Sequence, residues 1–153
     1  MATNAGPIYG RQYIRYAETF EAPTNTEGGA VGTVEIGELR AVSYSTWAGP
    51  NTAAAGDAFA APPSTIVGIN QAYMPTALAQ PYTARQLTVA TSGLLLVEVD
   101  PASAAITLNT QLQVNLLGQA TAAGVAVTLD GTTPLIRENV TIGGRDLVLV
   151  SFA

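Results

Sequence analysis

The sequence predicts an all-β protein, a small β-barrel or sandwich of short antiparallel strands. Short apolar segments recur along the chain, and clusters of Gly, Asp and Pro separate them, which is the pattern of strands joined by tight turns. No amphipathic helical pattern longer than about 10 residues is present, and no regular repeat indicates a solenoid or propeller. A chain of 153 residues is long enough to bury a single core.

Residues 1–30 are expected to form an extended N-terminal arm, and residues 31–153 a single β domain. Large aliphatic side chains are sparse in the arm, whereas aromatic residues are interleaved with Gly, Pro, Thr and Asn. We expect one strand within the arm, near residues 12–20. Aromatic residues with few aliphatic neighbours suit a segment that lies on a surface, either its own or that of a neighbouring chain.

The first half of the β domain is expected to contain a long loop between its strands. Alternating apolar residues predict the strands 31–36, 39–47 and 66–69. A hairpin is expected across Gly37-Glu38. Residues 48–65 are rich in Ala, Gly and Pro, so they have little to bury and are expected to be mobile or ordered by a partner. Residues 72–84 contain Pro75 and Pro81 and are expected to be a loop or one broken helical turn.

The C-terminal half has the clearest strand signals. Apolar alternation and turn-forming residues divide it into six segments. The strands expected are 87–99, 104–108, 112–116, 125–129, 135–142 and 147–152. Turns are expected at Asp100-Pro101, Asp130-Gly131 and Gly143-Gly144. Gly93 is expected to mark a bend or bulge in the longest strand.

The composition excludes most catalytic and metal chemistry. The chain has no His and no Cys, and its six basic residues are all Arg. Catalytic groups built on His, Cys or Lys, a His- or Cys-ligated zinc site and a P-loop lysine are therefore impossible. We expect a protein that packs and assembles rather than an enzyme, without catalytic residues, metal or cofactor.

The surface is expected to be poor in charge. Charged residues make up 11% of the chain and hydrophobic residues 48%, whereas an ordinary soluble domain has roughly a quarter charged residues. Another chain is therefore expected to cover part of a neutral or apolar surface. The net charge of −5 gives no basic footprint for nucleic acid. The longest apolar run, 94–97, is too short to span a bilayer, and no signal-peptide pattern opens the chain. Neither nucleic acid nor membrane is expected as a partner.

Two pairs of acidic residues could carry chemistry, although each has a simpler explanation. Glu98 and Asp100 could bind a hard cation or assist acid–base catalysis. The simpler interpretation places Glu98 at an outward strand position and makes Asp100 the cap of the Asp-Pro turn. Glu35 and Glu38 could form a glycosidase pair, whereas solvated charge at the tip of a hairpin is the simpler explanation.

Two dipeptides of opposite charge, Arg137-Glu138 and Arg145-Asp146, lie on either side of the last predicted hairpin. They could form ion pairs between subunits. They could equally pair across the two strands on an exposed face of one chain. The sequence leaves both interpretations open, because so charge-poor a chain has few other polar groups that could anchor a partner.

The C-terminal half combines a Gly-centred strand, RQLTVATSGLLLVEV at 85–99, with LQVN at 112–115 and GQAT at 118–121. In strand length, Gly placement and Ala/Thr/Val-rich composition, residues 85–153 resemble the small β-barrel capsid cement, or head decoration, proteins of tailed bacteriophages. The resemblance implies a homotrimer on the outer face of an icosahedral shell, near local threefold positions. It also implies that the arm contacts neighbouring copies of the major capsid protein, and that the protein is made in the host cytoplasm and ends on the exterior of the virion.

On this hypothesis the arm and the last hairpin supply the partner contacts. The expected contact residues are Tyr9, Tyr13, Tyr16, Phe20, Arg11, Arg15, Arg137 and Arg145. Two other hypotheses stay open. One is another virion or cell-surface β module, such as a tail, fibre-base or adhesion domain. The other is a glycosidase-like hydrolase that uses carboxylates alone.

Overall fold

The computed structural model describes residues 11–21, 38–44, 53–55, 64–71 and 86–152, and these residues form strands and turns without a helix. The prediction of an all-β fold is confirmed. The strands are β1 (Tyr13–Glu21), β2 (Ala41–Tyr44), β3 (Ala53–Ala55), β4 (Gly68–Asn70), β5 (Gln86–Glu98), β6 (Gln113–Val114), β7 (Val125–Ala126), β8 (Leu135–Ile142) and β9 (Arg145–Phe152).

Seven strands form one antiparallel sheet in the order β3-β2-β4-β5-β9-β8, and β1 also pairs with β5. The 13-residue strand β5 organises this sheet, because three strands pair with it. Ala90 is paired with both Ile69 of β4 and Ala17 of β1, and Gly93 with both Phe152 of β9 and Ile14 of β1. A strand has two edges, so β4 and β9 share one edge of β5 and β1 lies along the other.

A second layer, residues 109–132, includes the two-stranded sheet of β6 and β7. Backbone hydrogen bonds join it to the main sheet on two sides. On one side, Ile66 N–H donates to the Thr128 carbonyl at 3.0 Å. On the other, Leu112 N–H donates to the Pro134 carbonyl at 3.0 Å, and Ile136 N–H donates to the Thr110 carbonyl at 2.9 Å. Among the described residues, the seven strands form an open sheet that is covered by the second layer. The strand pairing does not continue around into a closed barrel.

The main core joins the two layers. Its buried side chains come from Ile66 and from β2, β4, β5, β8 and β9 on the sheet side, and from residues 106–129 on the other. A smaller cluster, formed by Leu39, Leu96, Leu147 and Leu149, lies on the opposite face of the sheet. Alternate residues of a strand point to opposite faces, so β9 and the second half of β5 are buried on both faces. This explains why their sequences are apolar almost throughout rather than alternating.

The predicted turns of the C-terminal half are present. Asp130 and Gly131 have φ angles of 50° and 75°, and Gly143 and Gly144 of 59° and 80°. Two consecutive positive φ values are what a tight hairpin turn requires, and glycine adopts them without strain. Gly143-Gly144 joins β8 to β9. The Asp100 side chain accepts a hydrogen bond from Ala102 N–H at 2.9 Å, so Asp100 caps its turn as expected.

Several predicted elements are shorter than expected or are replaced. Residues 104–108 form no strand: only Ile106 is buried there, and its neighbours on both sides are exposed. The strands expected at 112–116 and 125–129 shrink to β6 and β7. Within the expected loop 48–65, residues 53–55 form β3, which pairs with β2. β6 and β7 are short because the residues around them form isolated β-bridges, such as Val99–Ala120 and Gln111–Leu135, instead of extending the pairing between the two strands.

The structure describes only part of the first half of the chain. The strand expected near residues 12–20 is present as β1, and it pairs with β5 rather than standing free. The strand expected at 39–47 is present as β2, and that at 66–69 as β4. Residues 1–10, 22–37 and 72–85, which include the rest of the predicted arm, the first half of the predicted hairpin and the predicted loop, lie outside the described residues.

Candidate functional site

The most exposed apolar part of the described chain is strand β1. The side chains of Tyr13 and Tyr16 are 63% and 67% exposed, Ile14 is 42% exposed, and Leu94 of the adjoining β5 is 38% exposed. We call these four residues the β1 surface. Every residue from 13 to 19 is exposed, whereas a strand in a sheet ordinarily buries one face. Exposed clusters of aromatic and aliphatic side chains are typical of contact surfaces.

The position of β1 depends on Gly93. A Cβ atom at Gly93 would lie 2.0 Å from the Tyr13 carbonyl oxygen, and its φ of 122° is one that side chains with a Cβ rarely adopt. β1 also departs from regular pairing between Ile14 and Ala17. The predicted irregularity at Gly93 therefore has a structural cause, the close approach of the β1 backbone.

Side chains at the two ends of β1 anchor it. Gln12 accepts a hydrogen bond from Leu96 N–H and donates one to Gln71, both at 2.9 Å. At the other end Phe20 is only 3% exposed. Its ring packs inside the chain, because burial of an aromatic side chain is strongly favourable. Phe20 is therefore corrected from a partner-contact residue to an anchor.

The predicted contact arginines have different surroundings. Arg11 forms a salt bridge with Glu138 of β8, and both side chains are roughly half exposed. Arg15 is exposed and lies on β1 beside the tyrosines. Tyr9, the remaining expected contact residue of the arm, lies outside the described residues.

A cleft adjoins β1. Its volume is about 470 Å³, and it lies between β1 and the turn at Asp130. Arg15, Tyr16 and Glu18 contribute to one wall, Asp130 and Thr132 to another. A cleft of this size could hold a small polar molecule.

Four partly buried charged side chains and one buried amide form a second cluster around Glu98, made of Glu38, Arg40, Glu98, Arg145 and Gln119. One carboxylate oxygen of Glu98 accepts from Arg40 Nε at 3.0 Å and from Gln119 Nε2 at 2.7 Å, and the other accepts from Arg145 Nη2 at 3.0 Å. Arg145 Nη1 donates to Glu38 at 2.9 Å. The cluster thus joins the turn before β2, the end of β5, the second layer and the start of β9.

The cluster keeps Glu98 ionised. Burial by itself would raise the pKa of Glu98. The hydrogen bond from Gln119, the charge and hydrogen bond of Arg40 and the hydrogen bond from Arg145 together outweigh burial and lower that pKa below its ordinary value. Burial would likewise lower the pKa of Arg145, yet its bonds to Glu38 and Glu98 raise it. Because both Glu98 oxygens are engaged, the arrangement favours a structural role over proton transfer.

The two arginines of the last hairpin serve within the chain. Arg145 pairs with Glu38 and Glu98, which lie far away in sequence, rather than across the hairpin. Arg137 donates to Ser151 at 3.1 Å and to Asn109 at 3.2 Å. Asp146 accepts from Thr141. The interpretation of cross-strand charge pairing is therefore corrected: Arg137 and Asp146 bond to neutral side chains across the hairpin, whereas the ion pairs of Arg145 and Glu138 reach other segments.

The described members of the acidic pairs weighed from the sequence each have a partner within the chain. Asp100 caps its turn, while Glu98 is half-buried rather than outward. Glu38 binds Arg145, and Glu35 lies outside the described residues. In the described ranges, no group of three or more acidic residues could hold a metal ion. No helix in that same part of the chain is long and apolar enough to cross a membrane.

Sequence reasoning missed Ile14 and Leu94 in the β1 surface and Gln119 in the Glu98 cluster. Leu94 has a signal in the sequence, since it falls on the opposite parity from the core residues Leu95 and Val97. Gln119 has none, because its contact with Glu98 spans 21 residues and depends on the second layer. No protein-family model, curated protein or solved structure matches this chain.

Proposed function

We propose that this protein is a structural protein of a virus particle, a capsid cement or decoration protein that binds the outside of an assembled icosahedral shell and bridges its subunits. The observation that supports this best is the β1 surface. It exposes two tyrosines by more than 60%, beside Ile14 and Leu94, on a strand fixed to the sheet.

Aromatic residues at such a position suit binding to another protein. Tyr combines a large apolar area with a hydroxyl group and few rotatable bonds, so it contributes contact area at low entropic cost. Eight residues of β1 have partners on β5. Because the strand is already ordered by that pairing, binding costs less conformational entropy than ordering a free segment would.

A cement protein stabilises a shell because it binds the assembled form more tightly than it binds the separate subunits. Many copies bound together turn modest individual contacts into tight attachment. The resemblance over residues 85–153 supplies the proposed partner, the major capsid protein, and the proposed assembly, a homotrimer on the exterior of the virion. On this proposal the protein is not an enzyme.

The test measures binding of the purified protein to shells of the virus found in the source culture. We expect the double variant Tyr13→Ala/Tyr16→Ala to bind shells at least about tenfold more weakly, because tyrosine is enriched among the few interface residues whose truncation costs more than about 1 kcal/mol. Leu116→Ala is the matched control, since Leu116 is 46% exposed but lies in the second layer. Equal binding by the double variant would refute the β1 surface as the contact.

Quantitative mass spectrometry of gradient-purified particles tests the location. A copy number comparable to that of the major shell protein supports the capsid proposal. A few copies per particle would instead indicate a tail or portal position, and absence from particles would rule out the virion proposal.

The cleft beside β1 favours a second candidate function, an adhesion module that binds a saccharide. Its tyrosine, carboxylates and hydroxyl groups could stack on a sugar ring and bind its hydroxyls. Binding to a glycan array that Asp130→Asn abolishes and Asp100→Asn leaves intact would support this candidate. No binding by the parent protein would exclude it.

A further inference from the structure

We propose that the cleft between β1 and the Asp130 turn binds a zwitterionic saccharide, one that carries both an ammonium group and a carboxylate. Glu18 and Asp130 bind the ammonium group, Arg15 binds the carboxylate, and the ring of Tyr16 packs against a sugar ring. This inference rests on the second candidate function, saccharide binding in the same cleft, and adds which class of saccharide is bound. It does not depend on shell binding.

The charged side chains that line the cleft have no partner within the chain. Among the charged side chains that the structure describes, only Arg15, Glu18 and Asp130 form neither an ion pair nor a side-chain hydrogen bond. All three line this one cleft. In a chain of which only 11% is charged, unpaired charges of both signs at a single cleft indicate a ligand that supplies the matching charges.

The two signs of charge in the cleft do not neutralise each other. Arg15 forms no ion pair with Glu18 or Asp130, although all three side chains line the same space. A ligand with a single charge would bind one sign and desolvate the other without a partner, which is unfavourable. A ligand with an ammonium group and a carboxylate satisfies both signs, so a zwitterion fits the cleft better than a purely basic or acidic molecule.

The pairing of β1 with β5 is irregular at the cleft. Arg15 is an extra residue in β1, because its two neighbours pair with consecutive residues of β5, and Thr91 is likewise an extra residue in β5. Both extra residues line the cleft, together with Tyr16. In a regular strand Arg15 and Tyr16 would project from opposite faces. Bulges redirect side chains and are over-represented beside active sites, and here they bring a cation and an aromatic ring to the same cleft.

Backbone hydrogen bonds fix the opposite wall of the cleft. Leu129 N–H donates to the Thr132 carbonyl at 3.0 Å, and Thr132 N–H donates to the Leu129 carbonyl at 2.8 Å, which closes the tight turn that carries Asp130. Thr128 N–H donates to the Ser64 carbonyl at 3.0 Å, so the turn is tied to the segment before β4. Because both walls are formed before a ligand arrives, binding loses little conformational entropy.

The neutral part of the lining suits a sugar. The ring of Tyr16 is 67% exposed and offers an apolar face against which a sugar ring can pack. Hydroxyl groups both donate and accept hydrogen bonds, as sugar hydroxyls do, and four residues contribute them to the cleft: Thr65, Thr91, Ser92 and Thr132. The volume of about 470 Å³ lies within the range of small-molecule sites.

Isothermal titration calorimetry with three matched disaccharides tests the proposal on the purified full chain. Glucosamine linked to glucuronic acid carries both charges at mildly acidic pH. Its N-acetylated form keeps only the carboxylate, and its carboxyl-reduced form keeps only the ammonium group. We expect the parent protein to bind the zwitterionic form at least about fivefold more tightly than either of the others, because each lost charge removes a charge-assisted hydrogen bond.

Neutral variants assign each charge of the ligand to its partner. Arg15→Gln should lose the preference over the carboxyl-reduced form and keep the preference over the N-acetylated form. The double variant Glu18→Gln/Asp130→Asn should do the reverse. Arg11→Gln and Asp146→Asn are the controls, since they remove charges of the same signs outside this cleft, and both preferences should stay at the level of the parent protein.

The outcomes separate this inference from the candidate function on which it rests. Equal binding of the three disaccharides by the parent protein would overturn the zwitterion inference and leave saccharide binding standing. No binding of any form would overturn both. Variants that weaken the three forms by the same factor would overturn the assigned charge pairs. If no disaccharide binds but Glu18→Gln/Asp130→Asn weakens binding to shells, the cleft receives a partner protein's side chain, and the inference is wrong.

Discussion

Strands β1 and β9 lie on opposite edges of the same strand, β5, and their surroundings differ completely. Four consecutive residues of β9, Leu147 to Val150, are buried, and they pack into two separate clusters on the two faces of the sheet. Residues 13–19 of β1 are exposed. Backbone pairing is common to both strands. β9 adds a continuous run of buried apolar residues, whereas among residues 13–20 of β1 only Phe20 is buried, so β9 supports the fold and β1 is available for contacts with other chains.

The largest effect is expected from a core substitution beside β9. Leu95 is completely buried and pairs with Val150. Leu95→Ala should lower the free energy of unfolding by about 2–5 kcal/mol, because it removes buried apolar area and leaves a cavity. Urea unfolding measures this loss. Tyr13→Ala on β1 is the comparison and should lower the free energy of unfolding by about 0.5 kcal/mol or less. Similar losses for the two variants would contradict the conclusion that β9 supports the fold more than β1 does.

Gly93→Ala should detach β1 selectively. The new Cβ would meet the Tyr13 carbonyl at 2.0 Å in a backbone conformation that disfavours it, at a cost of about 1–3 kcal/mol from the strained φ alone. Amide hydrogen exchange should become fast in β1 while β9 stays protected. Gly144→Ala is the matched control, because it has a φ of 80° but no atom near the new Cβ. Unchanged protection of β1 would show that Gly93 does not determine its position.

Glu98→Gln should destabilise the protein by about 1–2 kcal/mol, because the neutral amide loses charged hydrogen bonds to two arginines. The pKa of Glu98 is lowered in the folded protein from an ordinary value of 4.5. The unfolded state therefore takes up the proton first as the pH falls. The stabilisation is complete above about pH 4.5 and is lost as the pH falls through the folded pKa.

Thermal unfolding between pH 7 and 3 checks this. The difference in stability between parent and Glu98→Gln should shrink as the pH falls through this window. Asp130→Asn serves as the control, because Asp130 is exposed. A difference that stays constant down to pH 3 would contradict the assignment of Glu98.

The smallest effect is expected at the salt bridge between Arg11 and Glu138. Both side chains are roughly half exposed, and exposed ion pairs contribute about 0–1 kcal/mol. Arg11→Ala should change the free energy of unfolding by less than about 0.5 kcal/mol in urea titrations. A loss above 1 kcal/mol would show that the start of β1 is held more firmly than its exposure indicates.

Local signals predicted the hairpin of β8 and β9 well. Gly143-Gly144 can adopt positive φ without strain, and apolar residues on both flanks define the strands. The same kind of signal failed at 104–108, where alternation over five residues predicted a strand. In the structure only Ile106 of this stretch reaches the core, and among the described residues no strand pairs with it in a ladder.

The sequence by itself determined the all-β class, the tight turns and the absence of histidine, cysteine and lysine chemistry, because composition and turn conformation depend on residues close together in the chain. Only the tertiary structure decided that β1 lies on the exposed edge of β5, and that Glu98 binds Arg40 and Arg145, which are 58 and 47 residues away. Exposure and ion pairing depend on which distant segments pack together, and no short stretch of sequence specifies that.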